Sequence, residues 1–173
     1  MAVPMELSRI LIREMTDMQI IELTEIDGER TFPIVIGLPE AFAIERRLKG
    51  VQIERPQTHD LLASVIEELG GLLHKVVIND LRDGTFFATL IIEKDGLLLE
   101  VDSRPSDAIA LGVAGDVPIE VAEHVLAETE ADAAAMQELA EAAPFGDDDD
   151  AATDEDDDDL QDEMNDNDDL DWD

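Results

Sequence analysis

Cysteine is absent from this 173-residue chain. Disulfides and thiolate metal sites are therefore excluded, and the absence fits the reducing environment of the cytoplasm. The N-terminus, MAVPMELSRILIREM, has no signal-peptide apolar region, and no apolar run approaches the length of a membrane span. We therefore expect a soluble, cytoplasmic protein with no membrane partner.

Basic residues are scarce, with 11 Lys and Arg against 45 Asp and Glu and a formal net charge of −34 at pH 7. Residues 1–126 contain 23 acidic residues and all 11 basic ones, whereas residues 127–173 contain 22 acidic residues and no Lys or Arg. Because phosphate contacts depend on Lys and Arg, this balance argues against a general nucleic-acid-binding surface. Acidic surfaces are also typical of halophilic proteins, which they keep soluble in high salt.

Sequence motifs for common cofactors are absent as well. The chain has no phosphate-binding loop, dinucleotide fingerprint, nucleophile elbow or zinc-binding helix. The sequence therefore indicates no familiar cofactor.

Alternating apolar residues predict strands near the N-terminus. The expected strands cover residues 6–15, 19–26 and 30–36. Pro33 cannot donate a hydrogen bond to a neighbouring strand, so the third strand should lie at an edge or be interrupted there.

A three-strand meander is expected farther along the chain. Its strands cover residues 72–81, 85–93 and 97–102, and its turns are Asp83-Gly84 and Asp95-Gly96. The middle strand contains FFATLII, which is apolar on both faces. This strand should therefore be central and covered on both sides.

Helices are predicted after Gly37-Leu38-Pro39-Glu40 and after Thr58. The first should stop at Gly50, and its last turn carries the densest group of basic side chains, Arg46, Arg47 and Lys49. Thr58 is predicted as the N-cap of the second helix. An apolar stripe on that helix consists of Leu61, Leu62, Val65, Ile66 and Leu69.

The stretch LLLEVDSRPSDAIALGV, residues 97–113, turns from a strand into a third helix. Pro105 suits the first turn of this helix, and Ser106 and Asp107 are predicted to accept hydrogen bonds from its free N–H groups. A simple structural interpretation adds an ion pair between Arg104 and Asp102. Corners of this kind also carry functional groups.

Together these elements predict an α+β fold with a mixed or antiparallel sheet, the meander and three to four short helices. Residues 1–128 form this domain, residues 129–143 a helical extension rich in Ala and Glu, and residues 144–173 a disordered acidic tail. Leu160, Met164, Leu170 and Trp172 are spaced through the tail. They form either a docking motif for a protein partner or no binding site.

Three segments of the chain resemble the bifunctional nuclease (BFN) domain family. They are IGLPEAFAIERRLKG, RPQTHDLL and SRPSDAIAL. The resemblance runs from about Met5 to about Leu126. It implies a compact, oligomeric α+β domain that acts on both RNA and DNA. Many relatives carry a short UvrB/UvrC-type helical motif after this domain, and here the acidic tail takes its place. The residues that match the family's motifs are Glu40, Arg55, Thr58, His59, Asp60, Arg104, Ser106 and Asp107.

Phosphodiester hydrolysis requires an activated water and stabilisation of charge on the phosphoryl oxygens. We expect His59 as general acid or base with Asp60 orienting it, and Arg55 and Arg104 as phosphate ligands. Thr58 and Ser106 complete the substrate site. Asp102 and Asp107 are catalytic candidates that could hold Mg²⁺ or Mn²⁺, and Asp80 is a further carboxylate added on chemical grounds.

Two other interpretations stay open. In one, Arg55 and Arg104 pair with Asp60 and Asp107 and only lock two helix starts to the sheet. In the other, the domain is a regulatory or ligand-binding module without turnover. The catalytic interpretation requires that His59 and Asp107 meet across the fold.

Overall fold

Seven strands and four helices form the described part of the chain. The computed structural model describes residues 1–13 and 16–142, and the side chains as far as residue 135. The strands are β1 (Ala2–Leu11), β2 (Met18–Glu25), β3 (Thr31–Gly37), β4 (Leu72–Arg82), β5 (Thr85–Lys94), β6 (Leu97–Ser103) and β7 (Ile119–Ala122). The helices are α1 (Leu38–Leu48), α2 (Thr58–Glu68), α3 (Pro105–Gly112) and α4 (Glu123–Ala142).

All seven strands belong to one sheet in the order β3-β2-β1-β7-β4-β5-β6. Only the β4–β7 pair is parallel, so the sheet is mixed, and the predicted α+β class is confirmed. The strand that contains Pro33 lies at one edge, as predicted. The predicted first strand is shifted, since it begins at Ala2 and ends at Leu11.

The meander is formed as expected. Both of its turns have positive φ at the Asp and at the Gly, which are the angles of a tight type I′ hairpin. Leu90, Ile91 and Ile92 in β5 are all buried, so this strand is covered on both faces. It lies next to the edge strand β6 rather than at the centre of the sheet.

The sheet is strongly curved. Four strands separate β3 from β5 in the sheet order, which in a flat sheet corresponds to about 24 Å. Yet the rings of Phe32 on β3 and Phe86 on β5 stack with their centroids 5.5 Å apart. The sheet therefore curls around a single core. Every residue of α3 except Asp107 is buried in that core.

Local details of two helix starts differ from the prediction. The N-cap of α2 is Gln57, so Thr58 is already the first helical residue. Asp60 takes over the capping task because its Oδ2 accepts a hydrogen bond from the Gln57 N–H at 3.1 Å. At α3, Pro105 is the first residue as predicted, but no side chain caps the helix. The carboxylate of Asp107 binds other side chains instead, as described below.

The apolar stripe of α2 is only partly used by the core. Ile66 packs against it, whereas Leu61, Leu62, Val65 and Leu69 are exposed. The Ile66 C=O also accepts a hydrogen bond from the Gly71 N–H at 2.9 Å, where the chain turns into β4.

Among the residues that the structure describes, no helix is long and apolar enough to cross a membrane. α4 continues through Ala142 and so covers most of the predicted helical extension. The predicted disordered tail, residues 144–173, lies outside the described residues.

Candidate functional site

His59 and Asp107 lie on different helices but contact each other directly. His59 is the second residue of α2, and Asp107 is the third residue of α3. The His59 Nε2 lies 2.9 Å from the Asp107 Oδ1. The fold thus brings together the two residues whose meeting the catalytic interpretation requires.

Arg104 joins Asp107 to a third helix. Its Nε donates to the Asp107 Oδ2 at 2.7 Å, and its Nη2 donates to the Glu40 Oε1 at 2.7 Å. Glu40 lies in the first turn of α1, so one guanidinium links the beginnings of α1 and α3. The predicted pairing of Arg104 with Asp102 is wrong, because the guanidinium binds Asp107 and Glu40 instead.

The protonation of this cluster follows from its geometry. Burial alone would raise the pKa of Asp107, but the hydrogen bonds from Arg104 and His59 outweigh it and hold that pKa below its ordinary value. An ionised carboxylate can only accept hydrogen bonds. The Nε2 of His59 must therefore carry the proton, which leaves Nδ1 as the basic nitrogen when the ring is neutral.

A cavity of about 670 Å³ lies beside this cluster; we call it the His59 cavity. Its polar lining consists of Thr58, His59, Asp102, Ser103, Arg104 and Asp107. The remaining wall is largely apolar and is formed by Leu62, Ile66, Leu90, Ile92, Val101 and Leu111. Five predicted site residues thus border one open space, and all of them except Asp102 lie at the starts of α2 and α3.

Ser106 lies elsewhere. It is buried and borders a separate cavity between β3 and the β6–α3 corner. Arg104 borders both cavities. Ser106 therefore faces away from the His59 cavity even though its neighbours in sequence line it.

Asp60 does not orient His59, contrary to the prediction. Its Oδ2 accepts from the Arg46 Nη2 at 2.6 Å and its Oδ1 from the Arg47 Nη1 at 2.7 Å. Burial raises the pKa of Asp60, but these two guanidinium groups and the Gln57 N–H together lower it below its ordinary value. Consecutive residues on α2 thus serve two separate clusters.

Arg55 and Asp80 also lie outside the His59 cavity. Arg55 is exposed in the connection between α1 and α2, and within the described residues it forms no ion pair with Asp60. Asp80 pairs with Arg82 on β4, and the hydrogen bond from Arg82 is the main cause of its lowered pKa. Neither residue borders the space next to His59.

The residues present do not fit a divalent metal. The described part of the chain has no group of three His, Cys, Asp or Glu side chains placed to hold an ion. Both oxygens of Asp107 are engaged, and a cation there would lie against the Arg104 guanidinium. Asp102 also borders the cavity, but with His59 and Asp107 it forms no such group.

Sequence reasoning missed the partners of Asp60 and most of the apolar wall of the His59 cavity. The signal for the first was the basic last turn of α1, where two arginines need anionic partners. The predicted apolar stripe of α2 already contained Leu62 and Ile66 of the wall. The residues from α3, β5 and β6 have no local signal, because nothing in the sequence shows that they face the same cavity. Glu40 matched a motif, but only the structure shows that it binds Arg104.

Comparison with known proteins adds to this geometry. A family model described as the bifunctional nuclease domain matches residues 21–134. Two uncharacterized proteins of Mycobacterium tuberculosis, from two strains, are each 41% identical over 119 residues, which are 69% of this chain and 71% of theirs. Bifunctional nuclease 2 of Oryza sativa subsp. japonica is 31% identical over 99 residues, 55% of this chain and 30% of that protein. The chain therefore belongs to the bifunctional nuclease domain family.

Proposed function

We propose that this protein hydrolyses phosphodiester bonds of RNA and DNA in the His59 cavity. The observation that carries the proposal is the hydrogen bond between the His59 Nε2 and the ionised Asp107 beside an open cavity. The name of the rice relative, bifunctional nuclease 2, supports the same class of reaction. The apolar wall offers a surface against which a nucleobase can lie.

The chemistry follows from the tautomer of His59. Its Nδ1 takes a proton from the attacking hydroxyl or water as the new bond to phosphorus forms. Asp107 then stabilises the resulting imidazolium. The same proton passes from Nδ1 to the leaving oxygen as the old ester bond breaks, so the ring returns to its neutral form.

Arg104 is placed to contact the phosphoryl group. Its Nε and Nη2 are occupied by Asp107 and Glu40, and its side chain is 66% exposed. Among the described contacts, none uses the Arg104 Nη1, so its two N–H groups can reach a phosphoryl oxygen. Asp107 and Glu40 hold the guanidinium in position, and the pKa of Arg104 is raised by their hydrogen bonds.

The charges of the cluster limit its affinity for nucleic acid. Arg104 is opposed by two carboxylates, Asp107 and Glu40, and only protonation of His59 brings the cluster to neutrality. Binding through this one guanidinium should therefore be weak. We expect log Kd to rise with log salt concentration with a slope of about 1, as for a single phosphate contact.

The test replaces His59 with Asn, which keeps a donor for Asp107 but lacks a base. Cleavage of RNA and DNA oligonucleotides should fall about 10²–10⁴-fold, while the melting temperature changes little. His74→Asn is the matched control, because His74 is exposed on β4 and outside the cavity. Cleavage by His59→Asn at the wild-type rate would overturn the proposal.

Asp107→Asn separates catalysis from a purely architectural role. The cluster joins the starts of α1, α2 and α3, so it could serve only to fix these helices. Lost cleavage with unchanged melting favours the active site. If Asp107→Asn instead lowers the melting temperature while the protein that remains folded cleaves at the wild-type rate, the cluster has only an architectural role.

A binding module without turnover is the second candidate. The observation that favours it is the largely apolar wall of the His59 cavity in a domain whose residues 1–126 carry a net charge of −12. In that case a mononucleotide should bind and be recovered intact, and Leu62→Asp should weaken its binding. Cleavage that is lost in His59→Asn would exclude this candidate.

A further inference from the structure

Two arginines in the last turn of α1 share a single carboxylate. Arg46 and Arg47 donate to Asp60 of α2 at 2.6 and 2.7 Å, and within the described residues neither pairs with another acidic side chain. The cluster therefore keeps one positive charge in excess. The side chains of Arg46 and Arg47 are only 15% and 8% exposed, so most of the water that would stabilise this charge is excluded.

The two guanidinium groups also have more donors than the protein uses. Each guanidinium has five N–H groups. Within the described residues each makes only two hydrogen bonds, one to Asp60 and one to a backbone C=O, that of Val51 or of Leu111. The Nε atoms of Arg46 and Arg47 are buried and have no partner. Buried donors are nearly always satisfied, so such exceptions point to a water, an ion or a ligand that completes the cluster.

A cavity of about 510 Å³ lies next to this cluster; we call it the Arg46–Arg47 cavity. Its polar lining consists of Arg46, Arg47, Gln52, Asp60 and Ser64. The rest of its lining consists of Gly50, Val51, Ile53, Pro56 and Ala114. Its volume lies within the range of about 300–1,000 Å³ that is typical of small-molecule sites. It shares no lining residue with the His59 cavity, so the two spaces are separate.

The loop after α1 adds backbone donors to the Arg46–Arg47 cavity. Gly50 has a φ of +62°, which turns the chain at the end of the helix. The Val51 N–H still donates to the Arg46 C=O, but within the described residues no hydrogen bond uses the N–H of Gln52 or Ile53. Successive free backbone N–H groups are typical of anion sites.

We propose that the Arg46–Arg47 cavity binds the phosphate group of a small molecule. A phosphomonoester has a charge of about −1.5 to −2 at pH 7 and three acceptor oxygens. It therefore offsets the excess positive charge and accepts hydrogen bonds from both guanidinium groups, which bind phosphate in bidentate fashion. The cavity is larger than a phosphate, and Val51, Ile53 and Pro56 offer apolar contacts to an organic group attached to it.

The acidic character of the chain does not prevent this binding. Within the described residues, Asp60 is the only acidic side chain that borders the cavity, and each of its oxygens already accepts from a guanidinium. At about 0.15 M salt, charges more than about 8 Å from the anion are largely screened. The proposal rests on this cluster alone, so it does not depend on the nuclease activity.

The test is an NMR titration of the full chain at about 0.15 M salt, with inorganic phosphate and with a nucleoside monophosphate as probes. Both should shift the amide signals of Gln52 and Ile53. Phosphate can also reach Arg104, and the amide signals of Asp102 and Asp107 report that event separately. Tighter binding of the nucleotide would identify an organic phosphate as the ligand, and equal affinities would identify inorganic phosphate.

Two variants should weaken binding. Arg46→Gln removes one guanidinium but leaves Asp60 paired with Arg47. We expect its affinity for both probes to fall about 10–100-fold, because charge-assisted hydrogen bonds to the anion are lost. Ser64→Glu instead adds a negative charge beside the cavity from an exposed position on α2, so it tests the site even if Arg46→Gln fails to fold.

Each variant has a matched control. Arg9→Gln makes the same change of charge on β1, where Arg9 is exposed, and Val65→Glu adds the same charge one residue beyond Ser64. Neither residue borders the cavity, so both controls should bind like the wild type.

Three results would refute the phosphate site. They are unchanged Gln52 and Ile53 signals at about 10 mM of either probe, shifts confined to the His59 cavity, and wild-type affinity in a folded Arg46→Gln or Ser64→Glu variant. All three are binding measurements and none uses cleavage. Failure of this site and failure of the nuclease proposal are therefore distinguishable.

Discussion

Asp60 and Asp107 show how two similar residues acquire different tasks. Each lies in the first turn of a helix, where the sequence predicts only a favourable interaction with the helix dipole. In the fold, Asp107 binds a histidine and an arginine at an open cavity, whereas Asp60 binds two arginines behind it. The surrounding partners, rather than the helix position, decide the chemistry of each carboxylate.

The pKa of Asp60 leads to a prediction about pH. Its pKa is lower in the folded state than the value of about 3.9 expected in the unfolded chain. The stabilisation by ionised Asp60 is therefore complete above pH ~4 and lost as pH falls through the folded-state pKa. Asp60→Asn should lower the free energy of unfolding by about 1–3 kcal/mol at pH 7, and the difference from wild type should shrink below pH ~4.

Urea unfolding of both proteins between pH 7 and pH 3 measures this difference. Glu54→Gln serves as the control, because Glu54 is exposed between α1 and α2. It should differ little from wild type at every pH. A difference for Asp60→Asn that stays constant down to pH 3 would contradict the prediction.

At the scale of elements, the two hairpin turns are determined by the residues that form them. The helix starts also depend on contacts with side chains farther along the chain. Asp83-Gly84 and Asp95-Gly96 form the predicted turns because few other residue pairs tolerate positive φ at both positions. The start of α2 was predicted one residue too late. Gln57 is an ordinary residue by propensity, and Asp60 makes it an N-cap only through a contact three residues away.

Gly96→Ala tests the importance of the second turn. The φ of Gly96 is +76°, and an added Cβ would meet nothing within 4 Å. The cost is therefore backbone strain alone, and we expect a loss of about 1–2 kcal/mol in the free energy of unfolding. Chemical denaturation measures this loss.

Gly115→Ala provides the comparison. Gly115 does not have a positive φ, and its Cβ would be in ordinary contact with Val117 at 3.6 Å. We expect a change within about 0.5 kcal/mol. Equal losses for the two glycine variants would show that the hairpin conformation is not the cause.

At the scale of the whole molecule, charge is distributed very unevenly. Residues 144–173 contain 17 acidic residues and no basic ones, and they lie outside the described part of the structure. A polyanion tethered to the domain competes with nucleic acid for the same few basic side chains at high effective concentration. We therefore predict intramolecular inhibition of nucleic-acid binding.

Deletion of residues 144–173 should lower the Kd for an RNA oligonucleotide on the order of tenfold at low salt. The effect should disappear in high salt, where the charges are screened. A tail of equal length made of Gly and Ser is the matched control and should behave like the deletion. Equal affinity of the full chain and the deletion variant would contradict inhibition, and stability lost only in high salt would indicate halophilic adaptation.

The sequence by itself determined the α+β class, the meander with its Asp-Gly turns and the position of Pro33 at a sheet edge. These features depend on local backbone preferences and on the alternation of apolar residues, which adjacent residues encode. The motif residues His59, Arg104 and Asp107 could also be selected from the sequence, but their contact could not.

Only the tertiary structure decided which charges meet and which apolar faces stay uncovered. The curvature of the sheet brings Phe32 to Phe86 and places the starts of α1, α2 and α3 around Arg104. It also directs the side chain of Asp60 away from that of His59 and leaves Leu62, Val65 and Leu69 of α2 exposed. The physical reason is that ion pairing and burial depend on distances between residues far apart in the chain, and those distances are set by the packing of the whole core.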